Sequence, residues 1–541
     1  METNVLQMTL VVIIYLFAVG YLGYRGFRGT RTTADYMLAG RKIHPFVMAL
    51  SYGATFISTS AIVGFGGVAG LFGMGLLWLA FLNIFVGIFV AFVCFGGRTR
   101  LMGHNLDAHT FPELLGRRYQ SRFVQGFAGA VIFALMPLYT AAVLIGAGKF
   151  IEQAFPISYE MALFFFATIV ALYVIMGGLK GVMYTDALQG VIMFVGMAVL
   201  LVYTYARVGG VVEGHKALTD MASLVPPKLV TIGHQGWTAM PVGASELWWT
   251  LVSTIVLGVG IGVLAQPQLA VRFMTVKSRR ELNRAVIVGG VFILCMVGVA
   301  FTVGALSNVL FFKESGKISI AAAGGDPEKI IPLFINTFMP PWFMGLFLVT
   351  LLAAAMSTLS SQFHAMGTAA GRDLCEMGIC GREHRGTVTI TRIGIFITFI
   401  GSVLLAYFLP LKMEKGTEII ARATAIFFGL CASAFLPAYI GALYTRWVTR
   451  AAAITGMLGG FILTALLFMF VHEKESVALI LCQKFFGKPS ILTSVTTGPF
   501  IWRVVDPLVI ALPASLLLTL FVSLFTKRAR KEHLDRCFKG F

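Results

Sequence analysis

The stretch GATFISTSAIVGFGG, residues 53–67, decides how this chain is read. It lies within a long apolar run, yet Ser58, Thr59 and Ser60 stand side by side at its middle, followed by Gly64, Gly66 and Gly67. Consecutive helical side chains point in different directions, so the three hydroxyls do not all face one neighbour. Each glycine weakens a helix by about 1 kcal/mol relative to alanine. Together they predict a helix break inside the run, where freed carbonyls can hold a cation. Close packing through small residues is the competing reading.

The surrounding composition places that run in a membrane. Of 541 residues, 58% are apolar and only 12% charged, against roughly 25% charged in soluble domains. Mean hydropathy is +0.86. A soluble enzyme and a disordered chain are excluded. The net charge of +18 does not imply nucleic acid, because the basic residues punctuate apolar runs and do not form a soluble basic face. Spans of the length a bilayer requires, ~20 residues, fall at 5–24, 45–69, 72–96, 122–149, 158–177, 184–206, 247–271, 285–309, 341–371, 387–410, 419–445, 451–471 and 504–526. The first lacks the basic start and cleavage site of a signal peptide.

Thirteen spans put the termini on opposite sides. With the N-terminus outside and the C-terminus inside, inner segments, among them the loop 272–284 that begins at Arg272, hold 28 of the 42 Lys and Arg and 10 of the 24 acids, so the inner face carries the whole net charge. This is the expected bias for a multi-pass protein of the cytoplasmic membrane. The outer loops 207–246, 310–340 and 472–503 are too short for a catalytic domain, and the basic tail 527–541 is expected to contact the membrane surface. Seven scattered cysteines indicate no disulfide framework, and Cys375 with Cys380 gives only two thiols for a metal.

Intramembrane acids are nearly absent, which argues against proton coupling. Hydroxyls recur instead in AAAMSTLSS, residues 353–361, where Ser357, Ser360 and Ser361 share one helix face and Thr358 lies a step around. Hydroxyl and carbonyl oxygens suit a hard cation such as Na⁺. Bonds from each hydroxyl to its own i−4 carbonyl are the alternative. A second break is predicted in LGVGIGVLAQPQ, residues 257–268, where Pro267 removes a backbone donor between Gln266 and Gln268. Broken spans five apart point to inverted five-helix repeats with a binding site between them.

At these residues the chain resembles the sodium:solute symporter family, in particular its bacterial sodium/proline and sodium/pantothenate type. Four segments carry the resemblance: GATFISTSAIVGFGG, GGLKGVMYTDALQG (177–190), AQPQLAVRFMTVKS (265–278) and AAAMSTLSSQFHAMGTAAGRDL (353–374). The fold class implied is an all-α polytopic membrane protein of about 13 helices with a five-plus-five inverted-repeat core and discontinuous helices. Its divisions are residues 1–44, an extra helix and inner loop; 45–206, the first repeat; 207–246, an outer loop; 247–445, the second repeat; 446–526, two C-terminal helices; and 527–541, the tail.

By position, the resemblance implies a main Na⁺ site from the carbonyls of Ala54, Ile57 and Ala354 and the hydroxyls of Ser357 and Thr358. It places Asp186, Ser360 and Ser361 either at a second Na⁺ or on an inner gate and exit path. Asp186 is expected about one turn into its span, near water. Solute contacts fall on Ser58, Thr59, Ser60, Tyr139, Val259 and Gln266. The chain departs from the proline carriers at Phe56, where they have an acid, and at Val259, where they have a tryptophan. Arg422 is read as a snorkelling arginine or as an attractor for a carboxylate.

The function expected is Na⁺-coupled symport of a small organic acid or amino acid into the cell. No organic cofactor or nucleic acid is expected as a partner, and a monomer is expected to suffice. A transporter-like sensor would need a long domain after the last span, and only about fifteen residues follow Phe525. A passive channel is separated from a carrier by saturable, sodium-driven uptake against a gradient. A membrane enzyme would need clustered acids, His or Cys, and the nine histidines are dispersed.

Overall fold

The computed structural model describes residues 2–30, 32–380, 387–412, 419–492 and 501–541; the Cys380 thiol lies outside the described side chains. Among the described residues the protein is helical throughout, with a single isolated bridge between Ile43 and Val276. Eleven helices are long and apolar enough to cross a membrane, and the bent pair Pro45–Phe56 and Ser60–Phe72 makes twelve. One of the eleven, Tyr159–Val208, has 50 residues. At 1.5 Å rise per residue it would be ~75 Å long, more than two bilayer cores. It turns at Gly178, whose φ of +59° is non-helical. A Cβ there would lie 2.7 Å from the Tyr36 ring, so glycine is required on both counts. Two spans meet at that turn, and the total is thirteen.

Both predicted breaks are present. The second span stops at Phe56, Ile57 is extended (φ −96°, ψ 105°), and the helix resumes at Ser60 after a 53° bend. The seventh span, Glu246–Ala265, is interrupted at extended Gln266 and restarts as Pro267–Phe273. Pro267 suits the first position of that stub, where its missing N–H has no helical partner to lose. The ninth and eleventh spans are the most enclosed, while the first and last are the least. Outward-facing Phe81, Phe85 and Phe89 stack along the third span, as lipid contact favours.

The tail, expected at the membrane surface, has contacts on the protein as well. Its helix, Lys531–Cys537, folds back on the protein with Leu534 and Cys537 buried. Asn105 donates to the carbonyls of Cys537 and Lys539, and the Phe538 ring sits under the guanidiniums of Arg118 and Arg446. Its aromatic residues Phe538 and Phe541 find cation partners on the protein itself.

Candidate functional site

Ending the second span at Phe56 leaves its last carbonyls without helical donors. The ninth span supplies donors. Ser357 Oγ reaches the Ala54 carbonyl at 2.9 Å, and Thr358 Oγ1 reaches the Thr55 carbonyl at 3.0 Å and that of Ala54 at 3.4 Å. Ser357 also bonds back to Ala353 O at 2.8 Å and Ala354 O at 3.2 Å, so the i−4 reading and the inter-span reading both hold for it. Carbonyls of Ala54 and Ala354 and hydroxyls of Ser357 and Thr358 thus converge, all buried. Ile57, fully buried at the break, adjoins them along the chain.

One turn inward lies a buried ion pair. Asp186 is completely buried, with Arg272 Nη2 2.9 Å from its Oδ2. Ser51 donates to Oδ2 at 2.8 Å and Ser360 to Oδ1 at 3.3 Å. Ser361 accepts from Arg272 at 2.5 Å and shares a 2.8 Å bond with Thr55. This corrects two expectations. Asp186 is not near water, because the turn at Gly178 leaves no inner loop and the second, seventh and ninth spans close over it. Arg272 does not belong to an inner loop: the proline break carries it back inside the bundle. An arginine five residues after Pro267, still in an apolar stretch, was the signal available in the sequence.

Above the break lies a closed cavity of about 20 Å³, with Ser58, Ser60, Asn83, Tyr139, Val259 and Phe428 among its walls. Four of the six sequence-predicted solute residues therefore meet. Thr59 and Gln266 do not. Thr59 points to the fourth span and bonds Val143 O at 2.8 Å, a packing role. Gln266 folds onto its own helix at Gly262 O, 3.3 Å away, and accepts from Gln268. Asn83 was missed, although a single amide in the apolar run 77–96 is a signal in itself. Ser60 Oγ and Asn83 Oδ1 are buried here without a hydrogen-bond partner among the described residues. Such orphans cost about 1–3 kcal/mol each, so a polar ligand on them would be favoured. Phe56 and Phe428 stack across the same cavity, 6.4 Å apart.

Ion pairs flank the cavity on the side away from Asp186. Lys149 pairs with Glu328, which also accepts the Ile420 N–H at 2.8 Å, tying the eighth-to-ninth loop to the fourth and eleventh spans. Burial pushes the Glu328 carboxyl above its usual range even with Lys149 beside it. Arg422 neither snorkels nor stands free. It is buried and paired with Glu475, itself bonded to His472. At the inner face Thr110 caps the helix Phe111–Arg118, and Glu113 meets Arg372 at 2.9 Å and Arg117 at 2.6 Å. Burial opposes ionisation of Glu113, but His109, Arg372 and Arg117 together hold its carboxyl down to about 2.

Paired broken spans enclosing buried oxygens, with a separate closed cavity gated on both sides, define a carrier that works by alternating access. The chain belongs to the sodium:solute symporter family, whose model matches residues 36–460. It is similar to the osmoregulated proline transporter OpuE of Bacillus subtilis, 29% identical, with 79% of this chain and 81% of that protein covered. It is likewise similar to sodium/proline symporter 2 of Staphylococcus saprophyticus, 27% identical, with 86% and 87% covered. The fold matches that of a Na⁺-coupled sialic acid symporter at a TM-score of 0.73 and 18% identity, covering 97% and 99% of the two chains. The protein is therefore a multi-pass membrane transporter with the five-plus-five inverted-repeat fold. It couples Na⁺ to solute movement and is not an enzyme.

Proposed function

We propose that the protein carries a small amino acid or organic acid inward across the plasma membrane, driven by Na⁺ held at the break in the second span. The convergence of the Ala54 and Ala354 carbonyls with Ser357 and Thr358 carries this reading. Replacing these mutual hydrogen bonds by a cation leaves every oxygen satisfied, and an uncharged cage binds weakly enough for release. Ile57 contributes its carbonyl as a fifth ligand. The solute lies against Ser58, Ser60, Asn83, Tyr139 and Val259.

The relatives' names make proline the first solute to test, but Phe56 and Val259 at the cavity give this chain a more apolar wall. Asp186, Ser360 and Ser361 act with Arg272 as the inner gate. A second Na⁺ there is disfavoured while a guanidinium sits 2.9 Å from the carboxylate. Residues 45–206 and 247–445 are the repeats, the N-terminus is outside and the C-terminus inside, and the monomer is the working unit. A cavity of about 20 Å³ admits no solute until its walls part. The Lys149–Glu328 tie must therefore open for entry and the Arg272–Asp186 tie for release.

The test is uptake of radiolabelled proline, other amino acids and small carboxylates into proteoliposomes, with Na⁺ and with Na⁺ replaced by choline. Saturable accumulation of one class only with Na⁺ is expected. Equal accumulation driven by a pH gradient without Na⁺ would refute the coupling.

A further inference from the structure

Inward of the Arg272–Asp186 pair lies a second enclosed cavity of about 20 Å³, with Thr110, Gln268, Arg272, Ser361, His364 and Asp373 among its walls. Asp373 is fully buried. Its Oδ1 accepts from Thr110 at 2.7 Å and from Gln125 at 2.9 Å, while its Oδ2 has no partner among the described residues. Gln268 spends its amide nitrogen on Gln266 Oε1 at 3.2 Å, and its own Oε1 is likewise unpartnered.

Among the described residues, the ion pairs nearest Asp373 form without it. Arg272 pairs with Asp186, Arg117 with Glu113, and Arg372 with Glu113 and Glu376. Three guanidiniums thus meet three carboxylates. Asp373 is a fourth carboxylate, and among the described residues no cation lies within ion-pair distance of it. A buried carboxylate without a counter-charge is costly, and it is relieved by a proton or by a bound cation. The oxygens among the other polar lining groups are the Gln268 amide and the hydroxyls of Thr110 and Ser361, beside the buried His364 imidazole. That set suits a hard monovalent ion. The volume fits one ion or one water.

We propose that this cavity is a low-affinity Na⁺ relay site. An ion leaving the Ser357–Thr358 cage passes the Arg272–Asp186 gate and is held by Asp373 and Gln268 before it reaches the cytoplasm. The proposal rests on the reading of that cage as the main Na⁺ site. It accounts for both orphaned oxygens and for a buried carboxylate that no described cation answers. The relay also gives cytoplasmic Na⁺ a foothold from which to oppose gate opening.

Crystals of the full-length protein soaked in Tl⁺ without Na⁺ should show two anomalous peaks, one at Ser357 and Thr358 and one between Asp373 and Gln268, both lost when Na⁺ is added. A peak at the cage with only water density at Asp373 overturns the relay alone; no peak at either place overturns the cage reading as well. In solution, equilibrium binding of ²²Na⁺ should lose its weak component in Asp373→Asn and keep its tight one. Inhibition of uptake by internal Na⁺ should weaken about tenfold, the effect of one lost ligand of ~1.4 kcal/mol. Gln268→Leu, which removes no charge, should produce a smaller shift in the same direction. Wild-type ²²Na⁺ binding in both variants, with only the pH profile of uptake moved, means that Asp373 holds a proton and defeats the proposal.

Discussion

The breaks in the second and seventh spans occupy matching places in the two repeats, yet they do different work. The second has no proline. It opens because glycines and hydroxyls make the helix weak, and the facing ninth span takes up the freed carbonyls with Ser357 and Thr358. The seventh opens because Pro267 forbids continuation, and Gln266 satisfies the freed region from within its own helix at Gly262 O. What the seventh break delivers is the stub behind it, which carries Arg272 to Asp186. A break thus supplies loose backbone, and the helix packed across from it decides whether that becomes a cluster of buried oxygens, the proposed ion cage, or a positioned charge.

The contrast can be broken most severely at the charge. Arg272→Gln leaves Asp186 buried and alone, which should cost roughly 3–5 kcal/mol of stability. Adding Asp186→Asn should restore much of the thermal stability in detergent without restoring transport. If the double variant is no more stable than either single one, the two residues do not act as a pair.

The next effect belongs to the cage. Ser357→Ala with Thr358→Ala removes two of its oxygens, and the Na⁺ concentration for half-maximal uptake should rise roughly 10–100-fold at ~1.5 kcal/mol per ligand. Solute binding at saturating Na⁺ should change little. An unaltered Na⁺ dependence would remove the distinction between the breaks.

A smaller effect is expected above the seventh break. Val259→Trp fills a cavity that also touches Phe56 and Tyr139, so affinity for larger solutes should fall about tenfold, the scale of an overpacked contact. Competition binding checks this, with ²²Na⁺ binding as the internal control. Unchanged affinity for every solute places the pocket elsewhere.

The smallest effect concerns the outer end of the seventh span, where the Asp506 N–H donates to Ser253 Oγ at 3.0 Å. Burial pushes the Asp506 carboxyl up from 3.8 to about 6, with His472 and Arg422 only partly opposing. The folded protein therefore binds a proton more tightly than the unfolded chain between those values. Stability from this group falls as pH rises from about 4 to about 6 and is level beyond. Asp506→Asn should flatten that slope, by a few degrees of melting temperature. A wild-type slope in the variant would show that another group titrates there.

Much of this was legible along the chain. Apolar runs give thirteen spans without any contact being known, because lipid tolerates neither unpaired backbone nor stray charge. Glycine, adjacent hydroxyls and proline gave both breaks, since backbone weakness is a local property. The serine face of residues 353–361 followed from helical spacing alone. The partners of those groups were not legible. Ser58, Ser60 and Tyr139 were expected to line a pocket, but Asn83, from another span, completes it. Thr59 was grouped with its neighbours, yet one step around the helix turns its hydroxyl to Val143.

Charges show the division most clearly. Counting placed Arg272 in an inner loop and Asp186 near water; packing buried both and joined them. Residues 86 positions apart meet only when three helices converge, and no local pattern encodes that meeting. Arg422 was left with two roles by its position and was given a third by Glu475, from a loop outside the repeats. The sequence alone determined where the helices run and where they fail, because these depend on each residue's own transfer and backbone energies. Only the tertiary structure decided which oxygen faces which hydroxyl and which charge is answered, because those energies depend on distances between spans far apart in the chain.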